Sequence, residues 1–520
     1  MPSQKTSANN NHHPVVLLIL DGFGISRKKK GNAVNSAKMP VYRSLLKKYP
    51  HTKLKADGLA VGLPKGEAGN SEAGHQTIGA GRAVPSDKVI INNAIKDKSF
   101  FSNSVLLDTA KHVKKHGSTL HLMGLMTNSQ SAHAAAGHIT VLAKMMSKQG
   151  VGKIALHVFT DGRDTPPYHA LRLLTELESE LPEQAYFASV SGRFYAMDRN
   201  RNWSRTKKTY EAIVHGKGRK ASSAIKAIED AYERGESDEF IEPTIIANSH
   251  KPVHVNDDDA LIFWNLRSDR ARQLTKPFVA KSFNGNNGQG FKRSKKVSNL
   301  FFVTLTEFGK QIDHARAAYP HYEISGTLVE ALRSRKQIYI AESEKYAHVT
   351  YFFNGGHDIP RFNEDRKRIM SHHVADFSAK PQMRAKEIAK AVAKSVSAGY
   401  DFICANIANP DMVAHTGNFK ATVKACEITD KAIKTALQAV KKAEGTCIIT
   451  ADHGNAEEVL AKDGETDTHH NANPVPFVLV NQRLKNKKLH SGTLADVAPT
   501  VLRLLDEPIP KEMRGENLIK

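Results

Sequence analysis

Val15-Val16-Leu17-Leu18-Ile19-Leu20-Asp21-Gly22 sets six consecutive apolar residues, three of them β-branched, directly before an aspartate and a glycine. A short, wholly apolar run of this kind suits a strand buried on both faces, as in a parallel sheet. The acid at its end suits a ligand site, because open α/β sheets bind ligands beyond the carboxyl ends of their strands. The arrangement recurs along the chain. Residues 154–159 run into Asp161-Gly162-Arg163-Asp164, 185–190 into Ser191-Gly192-Arg193, and 260–265 into Leu266-Arg267-Ser268-Asp269-Arg270. Phe402–Ile407 runs into Asn409-Pro410-Asp411, and residues 447–450 into Asp452-His453-Gly454. Longer helical stretches separate these runs, which predicts an α/β fold with largely parallel sheets.

The acids and histidines able to hold metal gather at the two ends of the chain. The arginine-bearing strand ends lie between about residues 160 and 270. This split predicts one domain interrupted by another, with crossings near 83–88 and 317–323, both containing proline and polar residues. Residues 284–296, rich in Gly, Asn and Lys, read as an exposed loop.

Composition narrows the functional classes. With 520 residues, 40% of them apolar and 25% charged, the chain has material for large cores and is not of disordered type. Its longest clean apolar run, Val15–Leu20, is far short of the ~20 residues that span a bilayer, and residues 1–13 are polar. A protein with no membrane association, working in the cytoplasm, is expected. Cys404, Cys426 and Cys447 are too few and too scattered for a disulfide framework and fit a reducing compartment. The net charge of +22 suits polyanionic partners or an anionic small substrate. Aromatic residues are only 7% and are not interleaved with basic ones, which speaks against a single-strand nucleic-acid binder. Phosphate-loop, dinucleotide and zincin motifs are absent.

Three segments carry the chemistry. Gly66-Glu67-Ala68-Gly69-Asn70-Ser71-Glu72-Ala73-Gly74-His75-Gln76-Thr77-Ile78-Gly79-Ala80-Gly81-Arg82 flanks a serine with glycines, which allow close backbone approach to a ligand. In Asn409-Pro410-Asp411-Met412-Val413-Ala414-His415, Asp and His four apart share one helical face and can grip one cation. In Asp452-His453-Gly454-Asn455, adjacent side chains point in different directions, one toward each of two metals; His470 follows 17 residues on. Together, Asp21, Ser71, Asp411, His415, Asp452, His453 and His470 offer mixed oxygen and nitrogen ligands for two cations beside a serine. Such a site polarises a phosphoryl group and activates the hydroxyl.

With these motifs in view, the chain resembles the 2,3-bisphosphoglycerate-independent phosphoglycerate mutases of the alkaline phosphatase superfamily. The matching stretches are LLILDGFG, GNSEAGHQTIGAGR, FTDGRDTPP, SGRFYAMDRN, SDEFIEPTII, NLRSDRARQLT, AESEKYAHVTYFFNGG, NPDMVAHTG, TADHGNAE and NPVPF, in the family's order over almost the whole chain. The resemblance implies an alkaline-phosphatase-like metal domain built from residues 1–86 and 320–520, with a phosphotransferase domain, 87–319, inserted. It implies that Ser71 becomes phosphoserine, that Asp411, His415 and His470 hold one metal, and that Asp21, Ser71, Asp452 and His453 hold the other. Lys345 would lie against the transferring phosphoryl oxygens. Asp164 would be the acid and base for the glycerate hydroxyls. Arg193, Arg199, Arg267 and Arg270, with Arg163, would hold carboxylate and phosphate through forked hydrogen bonds.

The departures are local. Where the family has a Gly-Gly-Val-His-Ser-His type of stretch, this chain reads Thr127-Asn128-Ser129-Gln130-Ser131-Ala132-His133. His133 is the choice for the substrate-contacting histidine, with His138 as the alternative. His469 competes with His470 for the third ligand position, the Asn-Pro-Val-Pro register favouring His470. The expected activity is interconversion of 3-phosphoglycerate and 2-phosphoglycerate by a monomer acting on a small-molecule substrate. It would carry two divalent ions, Mn²⁺ first, with Co²⁺, Zn²⁺ or Mg²⁺ as alternatives, and need no 2,3-bisphosphoglycerate. The rivals are another metal-dependent phosphohydrolase or phosphomutase of the superfamily and, from charge alone, a nucleic-acid binder; no specific nucleic-acid partner is expected.

Overall fold

Val15–Leu20 is fully buried within an eight-stranded sheet, between Phe402–Ile407 and Thr446–Thr450, and pairs parallel with both. The structure is a computed structural model that describes residues 13–128, 131–247, 253–281, 283, 290–293, 295–309, 312, 314–374, 376–461 and 464–520. Most of the 284–296 loop, and Ser129 and Gln130 of the 127–133 segment, lie outside the described residues. The chain forms two compact units, Met1–Val89 with Glu323–Lys520, and Ile90–Tyr322.

The sheet of the first unit runs Glu364–Ile369, Gln337–Glu342, Phe402–Ile407, Val15–Leu20, Thr446–Thr450, Val475–Val480, His51–Lys55 and Gly492–Thr493. Its first five strands are mutually parallel. Register then decides what meets at their carboxyl edge. Leu20 pairs with Ile407, and Ile19 with Thr450. Asp21, Asp411, Asp452 and Lys345 therefore all leave the sheet on the same side, each within four residues of its strand's last residue. The long helix Phe419–Lys442 shows how the covering layer is specified. Asn418 caps it by accepting from the Ala421 N–H, and Thr422, Ala425, Cys426, Thr429, Ile433, Ala436, Leu437 and Val440 form its buried stripe at helical spacing.

The second unit has its own eight-stranded sheet: Arg316–Tyr319, Phe301–Thr306, Ala260–Phe263, Leu120–Leu125, Ile154–Thr160, Ala185–Gly192, Thr244–Ile246 and Arg219–Ala221. The first six strands are parallel and Thr244–Ile246 is antiparallel to its neighbour Ala185–Gly192. The strand expected over 260–265 ends at Phe263, because Asn265 leaves the ladder to accept the Leu125 N–H with its side chain. Cys404, Cys426 and Cys447 are free and buried, and burial pushes their thiols well up in pKa. Among the described residues no helix is long and apolar enough to cross a membrane.

Trp203 and Trp264 are the two tryptophans, and both lie in the second unit, so tryptophan fluorescence reports its unfolding. Leu122, fully buried in the central strand, should cost about 2–5 kcal/mol on Leu122→Ala, seen as an earlier fluorescence transition in urea. Leu59→Ala, at a side chain 63% exposed in the first unit, should leave that transition in place.

Candidate active site

Ser71 opens the helix Ser71–Ala80, with Asn70 as the capping residue. The unpaired N–H groups and the dipole at a helix start favour negative charge there. A Cβ at Gly74 would lie 2.4 Å from the Asp452 backbone oxygen, so glycine is what lets this helix rest directly on the Asp452 segment. The Ser71 hydroxyl is nearly buried. Lys345 Nζ donates to Oγ at 2.7 Å, Asp21 Oδ1 lies at 3.2 Å as acceptor, and His453 Nε2 lies at 2.9 Å. Lys345 also donates to Asp21 Oδ1 and Asp411 Oδ2, each at 2.6 Å.

The other donors converge in two adjoining groups. His453 Nε2 is 3.6 Å from Asp21 Oδ1 and 3.5 Å from Asp452 Oδ2, which gathers Asp21, Ser71, Asp452 and His453. His415 Nε2 and His470 Nε2 lie 3.3 and 3.4 Å from Asp411 Oδ1 and 3.0 Å from each other. The His453 and His470 ring centroids are 4.0 Å apart, so His453 stands where the groups meet. His469 points to solvent and pairs with Asp467 instead. The structure thus brings His470, not His469, to Asp411.

Burial sets the electrostatics. It raises the Asp21 carboxyl to about 6, with Asp452 and Asp411 adding and Lys345 opposing. Burial also acts to raise Asp411 and Asp452, but Lys345 and His415 hold the first well below the usual carboxylate range, and His453 and Lys345 hold the second there. Burial works against the Lys345 charge, yet Asp21, Asp411 and Asp452 outweigh it and raise its pKa. Burial and His453 lower His470 to about 4. His415 moves up, because Asp411 outweighs the burial that would lower it.

These residues fit divalent cations. Three buried carboxylates face one ammonium, and buried charge without a counter-charge costs several kcal/mol. Asp452 Oδ2 is buried with no hydrogen-bond partner. The Thr468 carbonyl takes the His415 Nδ1 hydrogen at 2.8 Å, which turns the Nε2 lone pair toward Asp411. Carboxylate oxygens with imidazole lone pairs are the donor set of first-row divalent metals.

In the second unit, arginines and acids meet at the carboxyl edge of that sheet. Arg193, 3% exposed, donates to Asp161 Oδ1 at 2.5 Å and to Asp164 Oδ2 at 3.0 Å, and Ser131 donates to Asp164 at 2.7 Å. Asp269 takes Arg199 at 2.7 Å and has Arg267 at 3.3 Å and His133 Nδ1 at 3.8 Å. Arg270 donates to the Met197 carbonyl, and burial together with Arg199, Arg193 and Arg163 lowers its pKa. Arginines that crowd one another in this way have the residue chemistry that binds carboxylate or phosphate through forked hydrogen bonds. Burial and Arg193 lower His133 to about 4, so it is neutral at pH 7. Burial favours protonated Asp164, but Ser131 and Arg193 outweigh it, so Asp164 rests as a carboxylate. His138 instead opens the helix His138–Lys148 and meets Asn92 at 2.8 Å.

Several residues around these groups escaped the sequence reading. Asp161 accepts from the Thr127 hydroxyl and from the Arg163 and Asp164 N–H groups, and so shapes the loop that presents Asp164. Its signal was its place directly after a strand. Asn406 and Asn455 donate to Asp21 Oδ2 and Asp411 Oδ1. Asn406 was visible as the one polar residue of the strand Phe402–Ile407, FICANI.

Comparison with known proteins adds relatives to this geometry. A family profile described as the BPG-independent PGAM N-terminus matches residues 91–310. The 2,3-bisphosphoglycerate-independent phosphoglycerate mutase of Moorella thermoacetica is 44% identical over 513 residues, covering 98% of each chain. That of Clostridioides difficile is 44% identical over 514 residues, covering 97% of this chain and 99% of the relative. A solved structure of Leishmania mexicana phosphoglycerate mutase, at low cobalt concentration, superposes with a TM-score of 0.77 at 28% identity, covering 98% of both chains.

The two histidine candidates give opposite expectations. His470→Ala should weaken divalent-cation affinity by more than about tenfold, and His469→Ala by less than about twofold, in titration calorimetry. Coordinating imidazoles must be neutral, so affinity should fall as pH falls. His415, whose pKa is raised, starts to compete at a higher pH than an ordinary histidine. Affinity that stayed flat from about pH 8 to pH 6 would rule out imidazole ligation.

Proposed function

The chain belongs to the 2,3-bisphosphoglycerate-independent phosphoglycerate mutases, and on that premise we propose that it interconverts 3-phosphoglycerate and 2-phosphoglycerate through a phosphoserine at Ser71. The observation that carries the residue assignment is the Ser71 hydroxyl, held at a helix start between Lys345, Asp21 and His453. Asp411, His415 and His470 would hold one divalent ion, and Asp21, Ser71, Asp452 and His453 a second. Mn²⁺ suits this donor set, with Co²⁺, Zn²⁺ or Mg²⁺ as alternatives. Ions bound there supply Lewis-acid polarisation of the phosphoryl oxygens and lower the pKa of the serine hydroxyl.

The chain's own residues supply the rest. Lys345 donates to Oγ and so stabilises the deprotonated serine. Ser71 Oγ attacks phosphorus, the Oγ–P bond forms, and the bond from phosphorus to the glycerate oxygen breaks. The serine proton leaves to solvent. Asp164, a carboxylate at rest, takes up one proton from solvent before the first transfer, gives it to the departing oxygen, and takes one back from the hydroxyl that attacks next. Arg193, Arg199, Arg267 and Arg270, with Arg163, hold the glycerate carboxylate and phosphate, and neutral His133 adds a hydrogen-bonding contact. The second glycerate hydroxyl then takes the phosphoryl group from Ser71. A small anionic substrate, work in the cytoplasm and a monomeric state complete the proposal.

Mutase and hydrolase chemistry share the first step and differ in the second attacker. An acceptor kept bound by the arginines has a large effective-concentration advantage over water. Product phosphate should therefore gain almost no oxygen from labelled water, and inorganic phosphate release should be slow beside isomerisation in an assay without 2,3-bisphosphoglycerate. Chelation and Ser71→Ala should each abolish turnover, and Arg267→Ala or Arg270→Ala should lower mutase activity far more than phosphatase activity. Phosphate release as fast as 2-phosphoglycerate formation would replace the mutase reading with a phosphohydrolase.

A further inference from the structure

His75 is fully buried on the helix Ser71–Ala80, one turn beyond Ser71. Its Nδ1 lies 2.9 Å from the Ser71 carbonyl oxygen, and its Nε2 lies 3.1 Å from the Asn406 side-chain nitrogen. A carbonyl oxygen can only accept, so Nδ1 carries the ring hydrogen and Nε2 the lone pair. The Asn406 amide therefore donates one hydrogen to His75. It donates the other to Asp21 Oδ2 at 2.6 Å. Asn406 is itself fully buried, and its strand pairs it with Ile19, two residues before Asp21.

Each hydrogen on this path has one destination. Asn406 gives both of its amide hydrogens away, and His75 gives its single ring hydrogen to the main chain of Ser71. Asp21, His75 and Asp452 have nitrogen and carboxylate atoms within 4.8 Å of one another, an arrangement that by distance alone could hold a metal. The tautomer removes His75 from that group, since neither ring nitrogen has a lone pair to spare. It also explains Asp452 Oδ2, which is 3.2 Å from His75 Nδ1 yet without a hydrogen bond: the hydrogen is spent on Ser71, and the oxygen's lone pairs stay free.

We propose that His75 and Asn406 are positioning residues that tie the Ser71 main chain and the Asp21 carboxylate into one rigid frame, fixing the nucleophile against the oxygens that hold metal. The inference rests on the reading of Asp21 and Asp452 as metal ligands. Outer partners that orient ligands in this way are worth about 10–100-fold in metal affinity or activity.

The test uses the full chain, Mn²⁺ calorimetry and steady-state kinetics at saturating Mn²⁺. His75→Ala and Asn406→Ala should each weaken Mn²⁺ binding about 10–100-fold and lower kcat while KM for 3-phosphoglycerate changes less than about twofold. The double variant should lose little more than the worse single one, because both act through one path. His75→Gln, which keeps a donor and an acceptor, should recover part of the affinity and of kcat. Folded alanine variants with wild-type Mn²⁺ affinity and kcat would overturn the proposal. If the alanine variants do not fold, Asn406→Ser, which cannot donate to both partners, takes their place; wild-type affinity and kcat in it would overturn the proposal equally. Wild-type protein that binds no Mn²⁺ would overturn the ligand reading and this inference with it.

Discussion

Three carboxylates and one ammonium are buried together at the carboxyl edge of four adjacent parallel strands, and the rest of the first unit is organised around that charge. Asp21, Asp411 and Asp452 are each about 1% exposed or less, and Lys345 is 5% exposed. Groups so placed persist only if every oxygen has a partner or a cation. The Ser71 helix start, the Asn406 and Asn455 amides and the Gly22 N–H, which donates to Asp452 Oδ1, all serve that requirement. Of the six oxygens of Asp21, Asp411 and Asp452, only Asp452 Oδ2 has no hydrogen-bond partner, and it lies 3.5 Å from His453 Nε2.

The second unit poses the inverse problem. Arginines crowd one sheet edge, and Asp161, Asp164 and Asp269 hold them there as paired side chains. The pairing with Arg193 and Ser131 holds Asp164 as a carboxylate. The first unit buries acids and histidines together, and the second sets arginines and acids side by side.

The site was legible in part, and the physical reason is local. Asp21, Asp411 and Asp452 follow apolar runs whose strand character needs no tertiary knowledge, so strand-end acids stand out in one dimension. Ser71 stood out through its glycines. His75 lay in the same quoted segment and was passed over, because nothing along the chain says which face of that helix meets Asn406. Lys345, Asp164 and the arginine roles came from resemblance; spacing alone leaves an arginine after a strand as a surface charge. Asp161 and Asp269 were quoted within motifs but carried no assigned role, since what they do is hold other side chains.

By itself the sequence determined the α/β class, the buried parallel strands and the set of metal-competent residue types, because periodicity, β-branching and strand-end chemistry are properties of neighbours in the chain. Only the tertiary structure decided which histidine joins Asp411, since His469 and His470 are adjacent in sequence and part company only through the direction of their side chains. It alone set His133 rather than His138 beside the arginines, and it alone gave His75 its tautomer. Those choices depend on strand register and on helix contacts between residues hundreds of positions apart, and a hydrogen bond from residue 406 to residue 75 has no trace in either local segment.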